Sequence, residues 1–448
     1  MSTSTTLRPI VLVVPDGAGD RPYETLSGPI PGLDSTVSRP RTPIEAAETP
    51  NLDRLAALGH SGLLYPLGPG LAPSSHQAHF ALFGYAPEEF PGRGLLEALG
   101  EGYAPRLGEV VLRANAARVS KRDGILWIDE RPDPRTGDAP YLAGPALDTE
   151  IDGVALRFVH TGALQGLLFL RPLDGRPLSH YVSDADPLHA ETSVLAVQPL
   201  EEAPDHAGAE RTAHVLNAWI RHSRSVLAGQ LLDAMLVKWA GSSTDYTPFP
   251  RRFGMRGVTL GSGPLYRGLG EAVGIDHREF GTANDPEADV AIRVTATLDL
   301  LAEGYGFVHL HTKRTDMAGH KKDPGRKAEV IAAVDRALAP LVPLVERGEI
   351  VVAVCPDHQT PAAGPLYHGG GAVPLLIAGG VAGADEVTAY GETVCARGSL
   401  GVLRGSDVLP LALDTADRSA FLADRMTGHV ALGVPRPEDL RPLTAWDD

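Results

Sequence analysis

Apolar residues in this chain gather in short unbroken runs separated by stretches of helical spacing. Ile10-Val11-Leu12-Val13-Val14-Pro15 is one such run, closed by Asp16-Gly17. A run of this length without polar alternation predicts a strand buried on both faces, as in a parallel sheet. Thr49 to Gly59 predicts a helix, with Thr49 as N-cap, Pro50 in the first turn and Gly59 as its stop. The theme returns in the second half. Phe307 to His311 reads as a strand, and Arg326 to Val345 as a helix with Val330, Ile331, Val334, Leu338 and Leu341 on one side. Ile350 to Cys355 and Val373 to Ile377 read as two further buried strands. Strands alternating with helices predict an α/β fold, a parallel-sheet core with helices on both faces.

The middle is patterned differently. Short alternating stretches such as Val110 to Arg113 and Leu167 to Leu170 are broken by the turn-rich segments Arg131 to Gly137 and Pro172 to Pro177. This predicts a smaller α+β domain at residues 84–254, inserted into a discontinuous core of 1–83 and 255–448. A length of 448 residues is consistent with more than one domain.

Composition narrows the function. With 40 basic and 56 acidic residues the net charge is −16, which argues against broad nucleic-acid binding. It also weighs against an anionic substrate unless bound cations reverse the field locally. No apolar run reaches the length of a membrane span, and the polar stretch Met1 to Arg8 lacks a signal core, so a cytoplasmic protein is expected. Cys355 and Cys395 form neither a disulfide framework nor a cysteine zinc site. Of the 40 basic residues only six are lysines: Lys121, Lys238, Lys313, Lys321, Lys322 and Lys327. A lysine in this chain is therefore more informative than usual. The sequence leaves the oligomeric state open.

Ligands of open α/β sheets bind beyond the carboxyl ends of the strands. Asp16 follows the first strand, Asp316 and His320 follow the strand at 307–311, Asp357 and His358 follow the strand at 350–355, and His368 lies in a glycine-rich loop. Each alone has an ordinary explanation as a turn, cap or surface residue. Together, three aspartates and three histidines suit two divalent cations, and Mn²⁺ or Zn²⁺ fits histidine better than Mg²⁺ does. Ser74 and Ser75 precede an apolar stretch that starts a helix. A serine there can be a helix cap or, beside a metal, a nucleophile for phosphorus. Local sequence does not choose between the two serines.

Longer motifs give a resemblance. Pro15-Asp16-Gly17-Ala18-Gly19-Asp20-Arg21-Pro22, Thr49-Pro50-Asn51-Leu52-Asp53 and Ser75-x-x-Ala78-His79 come first. Gly84-Tyr85-x-Pro87, Gly92-Arg93-Gly94, Glu97-Ala98, Arg113-x-Asn115-x-Ala117 and Asp184-x-Asp186-Pro187 follow. Lys313-x-Thr315-Asp316-x-x-x-His320, Asp357-His358-x-Thr360-Pro361 and His368 complete the set. Across nearly its whole length the chain resembles the archaeal-type, cofactor-independent phosphoglycerate mutases of the alkaline phosphatase superfamily. The resemblance implies an alkaline-phosphatase-like core and Ser75 as catalytic nucleophile. It implies one metal on Asp316, His320 and His368, and the other on Asp16, Asp357, His358 and the Ser75 oxygen. It also implies that the inserted domain holds the rest of a small anionic, phosphorylated or phosphonylated substrate. Arg93, Arg113, Asn115, Asp184, Asp186, Lys238 and Lys313 are its matched substrate-side residues. His79 is matched as well, its part left open. Closure of that domain would exclude water, so its contacts decide between transfer to a hydroxyl and transfer to water.

The sequence departs from the family's pattern beside the substrate. His76 stands where an acidic residue usually follows the serine, either as drift or as a new acid–base group. Leu231 to Gly241 lacks the family's basic loop, with Lys238 in place of an arginine and Trp239 in place of a glycine. A lysine cannot supply the planar fork of an arginine. Lys321-Lys322 replace the usual Asp-Gly after His320, either as surface charge or as added attraction for an anion. These departures point to a specialised substrate, for instance a phosphonate-bearing analogue in secondary metabolism. The alternatives are interconversion of 3- and 2-phosphoglycerate, a metal-dependent phosphomonoesterase, and an inactive binding protein. The complete ligand set weighs against the last.

Overall fold

The computed structural model describes residues 8–448 apart from 144, 244–245, 282, 381–382, 422–430, 433–441 and 444–448. The tail from about residue 422, counted above with the core, therefore lies largely outside the described residues. The chain divides into two compact units, Met1–Phe90 with Thr247–Asp448, and Pro91–Tyr246. Among the described residues no helix is long and apolar enough to cross a membrane.

The first unit is built on an eight-stranded sheet. Its order is Asp276–Glu279, Gly257–Gly261, Phe307–Thr312, Ile10–Pro15, Val351–Val354, Val373–Gly379, Gly59–Tyr65 and Gly401–Arg404. Ile10–Pro15 lies at the centre, buried along its whole length and paired in parallel with Phe307–Thr312 and Val351–Val354. Burial on both faces is why this run has no polar alternation. The strand expected at Val373 to Ile377 forms, but it is antiparallel to both its neighbours, so seven strands run one way and this one runs back. Helix Pro324–Leu338 packs Ile331, Val334 and Leu338 into a core shared with Val11, Val13, Leu52 and Leu55.

Two local expectations are corrected. The helix read from Arg326 to Val345 is three pieces, Pro324–Leu338, the 3₁₀ turn Ala339–Leu341 and Val342–Glu346. Pro340 and Pro343 lack the N–H that would continue it. Thr49 stands at the N-cap of helix Pro50–Ala56 without a side-chain cap bond, and Gly59 begins a strand instead of closing that helix.

The second unit is antiparallel. Its long strand Val110–Arg122 pairs with Ile125–Glu130, Gln165–Pro172 and Ala234–Ser242. Helix His206–Val226 buries Leu216, Trp219 and Ile220 in one core with Val110, Leu112 and Ala114. Helix Arg93–Gly100 places Leu95 and Ala98 in another with Val111, Leu167 and Phe169. Alternate residues of one strand thus feed two cores, the period-2 rule applied to both faces.

Candidate metal centre

The centre forms beyond the carboxyl ends of the central strands of the first unit's sheet. Asp16 directly follows strand Ile10–Pro15, Asp357 and His358 follow Val351–Val354, and Lys313 follows Phe307–Thr312. Asp316 and His320 share one face of the short helix Arg314–His320, an i, i+4 pair. His368 reaches the same end of the sheet from the other direction. It precedes strand Val373–Gly379, and because that strand runs backwards its start lies with the ends of its neighbours.

Ser75 opens helix Ser75–Leu82, with Ser74 as N-cap residue. Ser75 Oγ lies 3.2 Å from His358 Nε2 and accepts from Lys313 Nζ at 3.3 Å. Ser74 Oγ is instead occupied by His76 Nε2 at 3.0 Å and Gln77 Oε1 at 2.9 Å. Geometry thus separates two serines that local sequence could not. His76 is turned toward Ser74 and against the Phe90 ring.

The ligand-type atoms fall into two groups. Asp16, Asp357 and His358 bring one atom each within 4.8 Å of one another, and so do Asp316, His358 and His368. His320 Nε2 joins the second group, 3.1 Å from Asp316 Oδ1. His358 therefore borders both groups, and its ring stacks on His368 with centroids 3.8 Å apart. Asp16 Oδ1, Asp357 Oδ2, His320 Nε2 and His368 Nε2 are buried with no hydrogen-bond partner. Leaving four such atoms unpaired in one place is costly, and converging lone pairs are what a cation needs. His368 Nδ1 lies 2.9 Å from the Pro73 carbonyl, which can only accept, so the proton is on Nδ1 and the Nε2 lone pair is free.

The outward-facing ligand atoms are held from behind. Asp16 Oδ2 accepts from the Tyr266 hydroxyl at 2.8 Å and lies 2.9 Å from His311 Nε2 and 3.0 Å from Lys313 Nζ. The Gly17 N–H donates to Asp357 Oδ1 at 2.8 Å, and the Thr360 hydroxyl to Asp316 Oδ1 at 2.7 Å. Gly17 has φ +62°, and a Cβ there would sit 2.3 Å from Thr360 Oγ1 and 2.9 Å from Asp316 Oδ1, so only glycine lets these loops close. Tyr266 and His311 were not singled out from sequence, and Thr360 entered only as a motif residue without a role. The alternating His309-x-His311 is the one signal that could have found His311. Tyr367, also missed, stacks on His320 and His368 at 4.3 and 4.5 Å.

Charge is finely divided. Burial opposes the Asp16 charge, but Lys313 and His311 override it and hold the carboxyl well below its ordinary range. Burial and the negative charge of Asp16 push Asp357 up. Burial lowers His79 to about 4, so it is neutral, with Nδ1 donating to the Ser75 carbonyl at 2.6 Å. Lys321 is exposed, whereas Lys322 donates to the carbonyls of Pro361 at 2.7 Å and Leu366 at 2.8 Å, strapping two loops.

The second unit gathers the other matched residues. Glu97 accepts from Arg93 Nε at 2.9 Å and from Arg113 Nε. Lys238 is buried, its Nζ donating to Asp186 Oδ2 at 2.9 Å, while Arg131 grips both oxygens of Asp186 at 2.8 Å. The Trp239 N–H donates to Asp184 Oδ1 at 2.6 Å. Trp239 has φ +61° at a bulge of its strand, and its ring stacks on the Arg93 guanidinium at 3.5 Å and on Lys238 Nζ at 4.2 Å. Arg113 Nη1 and Asn115 Oδ1 are buried without partners.

The sequence pattern of the Metalloenzyme superfamily matches residues 8–415. A 2,3-bisphosphoglycerate-independent phosphoglycerate mutase of Methanocaldococcus jannaschii is 30% identical, over 96% of this chain and 98% of its own. One from Methanopyrus kandleri is 35% identical over 92% and 97%. The solved structure of a Pyrococcus horikoshii protein superposes with a TM-score of 0.70 at 26% identity, covering 93% of this chain and 99% of that one. The cofactor-independent phosphoglycerate mutase of Thermoplasma acidophilum gives 0.60 at 26% identity, over 91% and 99%. The chain belongs to the Metalloenzyme superfamily and, within it, to the family of the 2,3-bisphosphoglycerate-independent phosphoglycerate mutases.

Proposed function

We propose that this chain is a two-metal phosphoryl-transfer enzyme that works through a Ser75 phosphoenzyme on a small phosphorylated hydroxy acid. The observation that carries the reading is Ser75 Oγ, 3.2 Å from His358 Nε2 and 3.3 Å from Lys313 Nζ, beside two groups of unpaired ligand atoms. Asp16, Asp357, His358 and the Ser75 oxygen would hold one divalent ion, and Asp316, His320 and His368 the other. Three histidines favour Mn²⁺ or Zn²⁺ over Mg²⁺. When bound, such ions lower the pKa of a ligated hydroxyl and neutralise phosphoryl oxygens.

The chain's own residues supply the rest. Ser75 Oγ bonds to phosphorus as the substrate's P–O ester bond breaks. Ser75 gives up one proton and the departing oxygen takes up one. Lys313 aims an N–H at Oγ and steadies the charge that develops there. Neutral His79 pins the Ser75 carbonyl and so the first turn of the helix. In a mutase the bound hydroxy acid takes the group back on another hydroxyl, and in a phosphomonoesterase water takes it.

The unpaired Arg113 Nη1, with Arg93 and Lys238 nearby in the second unit, favours recognition of an anionic group, while the unpaired Asn115 Oδ1 can accept from a hydroxyl. The strained Trp239 covering Arg93 favours a specialised acid, such as a phosphonate-bearing one. The names of the relatives favour a second reading, interconversion of 3- and 2-phosphoglycerate. Phosphorus NMR of the enzyme with Mn²⁺ and 3-phosphoglycerate separates them. Appearance of 2-phosphoglycerate establishes the second reading and removes the specialised substrate. Free phosphate from many monoesters favours the phosphatase. Absence of any transfer from hydroxy-acid phosphates, with two ions bound, sinks the proposal.

A further inference from the structure

Lys327 is one of only six lysines and is completely buried. A buried ammonium is costly unless each N–H finds an acceptor. Lys327 Nζ finds three: the Gly19 carbonyl at 2.9 Å, the Thr360 carbonyl at 2.8 Å and Asp20 Oδ2 at 2.9 Å. These acceptors come from two loops. Gly19 and Asp20 belong to the loop that begins with Asp16, and Thr360 to the loop that begins with Asp357 and His358. Asp20 extends the junction, accepting from the Ala362 N–H at 3.0 Å and the Tyr23 hydroxyl at 2.6 Å. The lysine is anchored in turn by helix Pro324–Leu338, whose Ile331 and Val334 sit in the core.

We propose that Lys327 is a positioning residue of the metal centre: its ammonium, held by Gly19, Asp20 and Thr360, fixes the loop that carries Asp16 against the loop that carries Asp357 and His358. The inference rests on reading that centre as a metal site. The chain uses lysine here although arginine makes up most of its basic residues. A tetrahedral ammonium sends three N–H bonds in three directions, toward acceptors that converge from separate loops, whereas a guanidinium sends its donors out in one plane.

Lys327→Met alone would leave Asp20 buried without its cation and can fail to fold. The informative variant is Lys327→Met with Asp20→Asn, which removes both charges and keeps the volume. Two quantities are measured on the full chain: thermal melting of the metal-free protein, and affinity for Mn²⁺ and Zn²⁺ by chelator competition. The double variant is expected to melt close to the metal-free wild type yet bind metal about 10–100-fold more weakly, the scale of a lost supporting contact. Asp20→Asn alone lowers stability, because the buried ammonium loses its counter-charge, but it keeps Lys327 on both carbonyls and should bind metal close to wild type. A double variant with wild-type affinity overturns the inference, since Lys327 would then only balance a buried charge. A loss in Asp20→Asn as large as in the double variant also overturns it. Wild type that binds neither ion overturns the metal-site reading, and this inference with it.

Discussion

Lys313 Nζ lies 3.3 Å from Ser75 Oγ, so the hydroxyl at the start of its helix faces an ammonium group. Burial works against that charge, but Asp16, Asp316 and Asp357 override it and hold Lys313 well above the ordinary lysine value. It is therefore a fixed positive charge throughout the neutral range. Ser75→Ala should abolish turnover while both metals stay bound, because the other ligand atoms remain. Lys313→Met should lower kcat by about 10²–10³, the scale of one lost electrostatic stabiliser, without loss of metal. Metal content by elemental analysis beside steady-state rates checks both. Turnover by Ser75→Ala near the wild-type rate would end the phosphoserine mechanism.

The raised Asp357 carboxyl makes a second, thermodynamic prediction. Without a cation, burial and the nearby Asp16 charge work against its ionisation. Metal should therefore raise the melting temperature of the wild type, by about 2.7 kcal/mol of stability for one site at a hundredfold excess over Kd. Asp357→Asn should melt higher than the metal-free wild type at pH 8 and gain little from added Mn²⁺. An Asp357→Asn protein that gains as much from metal as the wild type removes Asp357 from the ligand set.

Much of this centre is legible in the sequence, for a physical reason. Buried parallel strands must be continuous apolar runs, and their ends must be loops, so Asp16, Asp316 and Asp357 announce themselves by position. The route of His368 to the site was not legible, because a buried run such as Val373 to Ile377 looks the same in either direction. The supports behind the ligands were hidden too. Tyr266 and Thr360 reach Asp16 and Asp316 only through tertiary packing. Lys322 and Trp239 stood out as unusual residues, but nothing in their spacing told that one straps carbonyls and the other stacks on Arg93. Pro340 and Pro343, by contrast, were readable breaks in a helix whose apolar stripe ran on past them.

In the second unit, removal of either partner of the Lys238–Asp186 pair should have unequal effects. Lys238→Met leaves Asp186 still gripped by Arg131 through two 2.8 Å bonds. The remaining carboxylate stays paired, so the cost should be modest, about 1–2 kcal/mol. Asp186→Ala strands the buried Lys238 ammonium and should cost about 3–5 kcal/mol. Chemical denaturation of the two variants checks the order. Equal losses would mean that Lys238 has another acceptor.

Glu392 gives the fold a pH dependence through a carboxyl that is not among the candidate metal ligands. Its Oε2 accepts from the Thr42 hydroxyl at 2.7 Å and its Oε1 from the Asp20 N–H at 3.2 Å. Burial, then the charge of Glu45, raises its carboxyl to about 7. A carboxyl raised on folding binds its proton more tightly in the native state than in the unfolded one. Its contribution is therefore fully present below the unfolded value near 4.5 and is lost as pH rises through about 7. The loss is on the order of 2 kcal/mol once the partial exposure of the residue is allowed for. Glu392→Gln keeps the shape and removes the titration. The variant should match the wild type near pH 5, exceed it at pH 8, and show a flatter stability profile between them. Denaturant midpoints at both pH values measure this. If wild type and Glu392→Gln run parallel across that window, the proton is not on Glu392 and the pair with Glu45 is not the source of the shift.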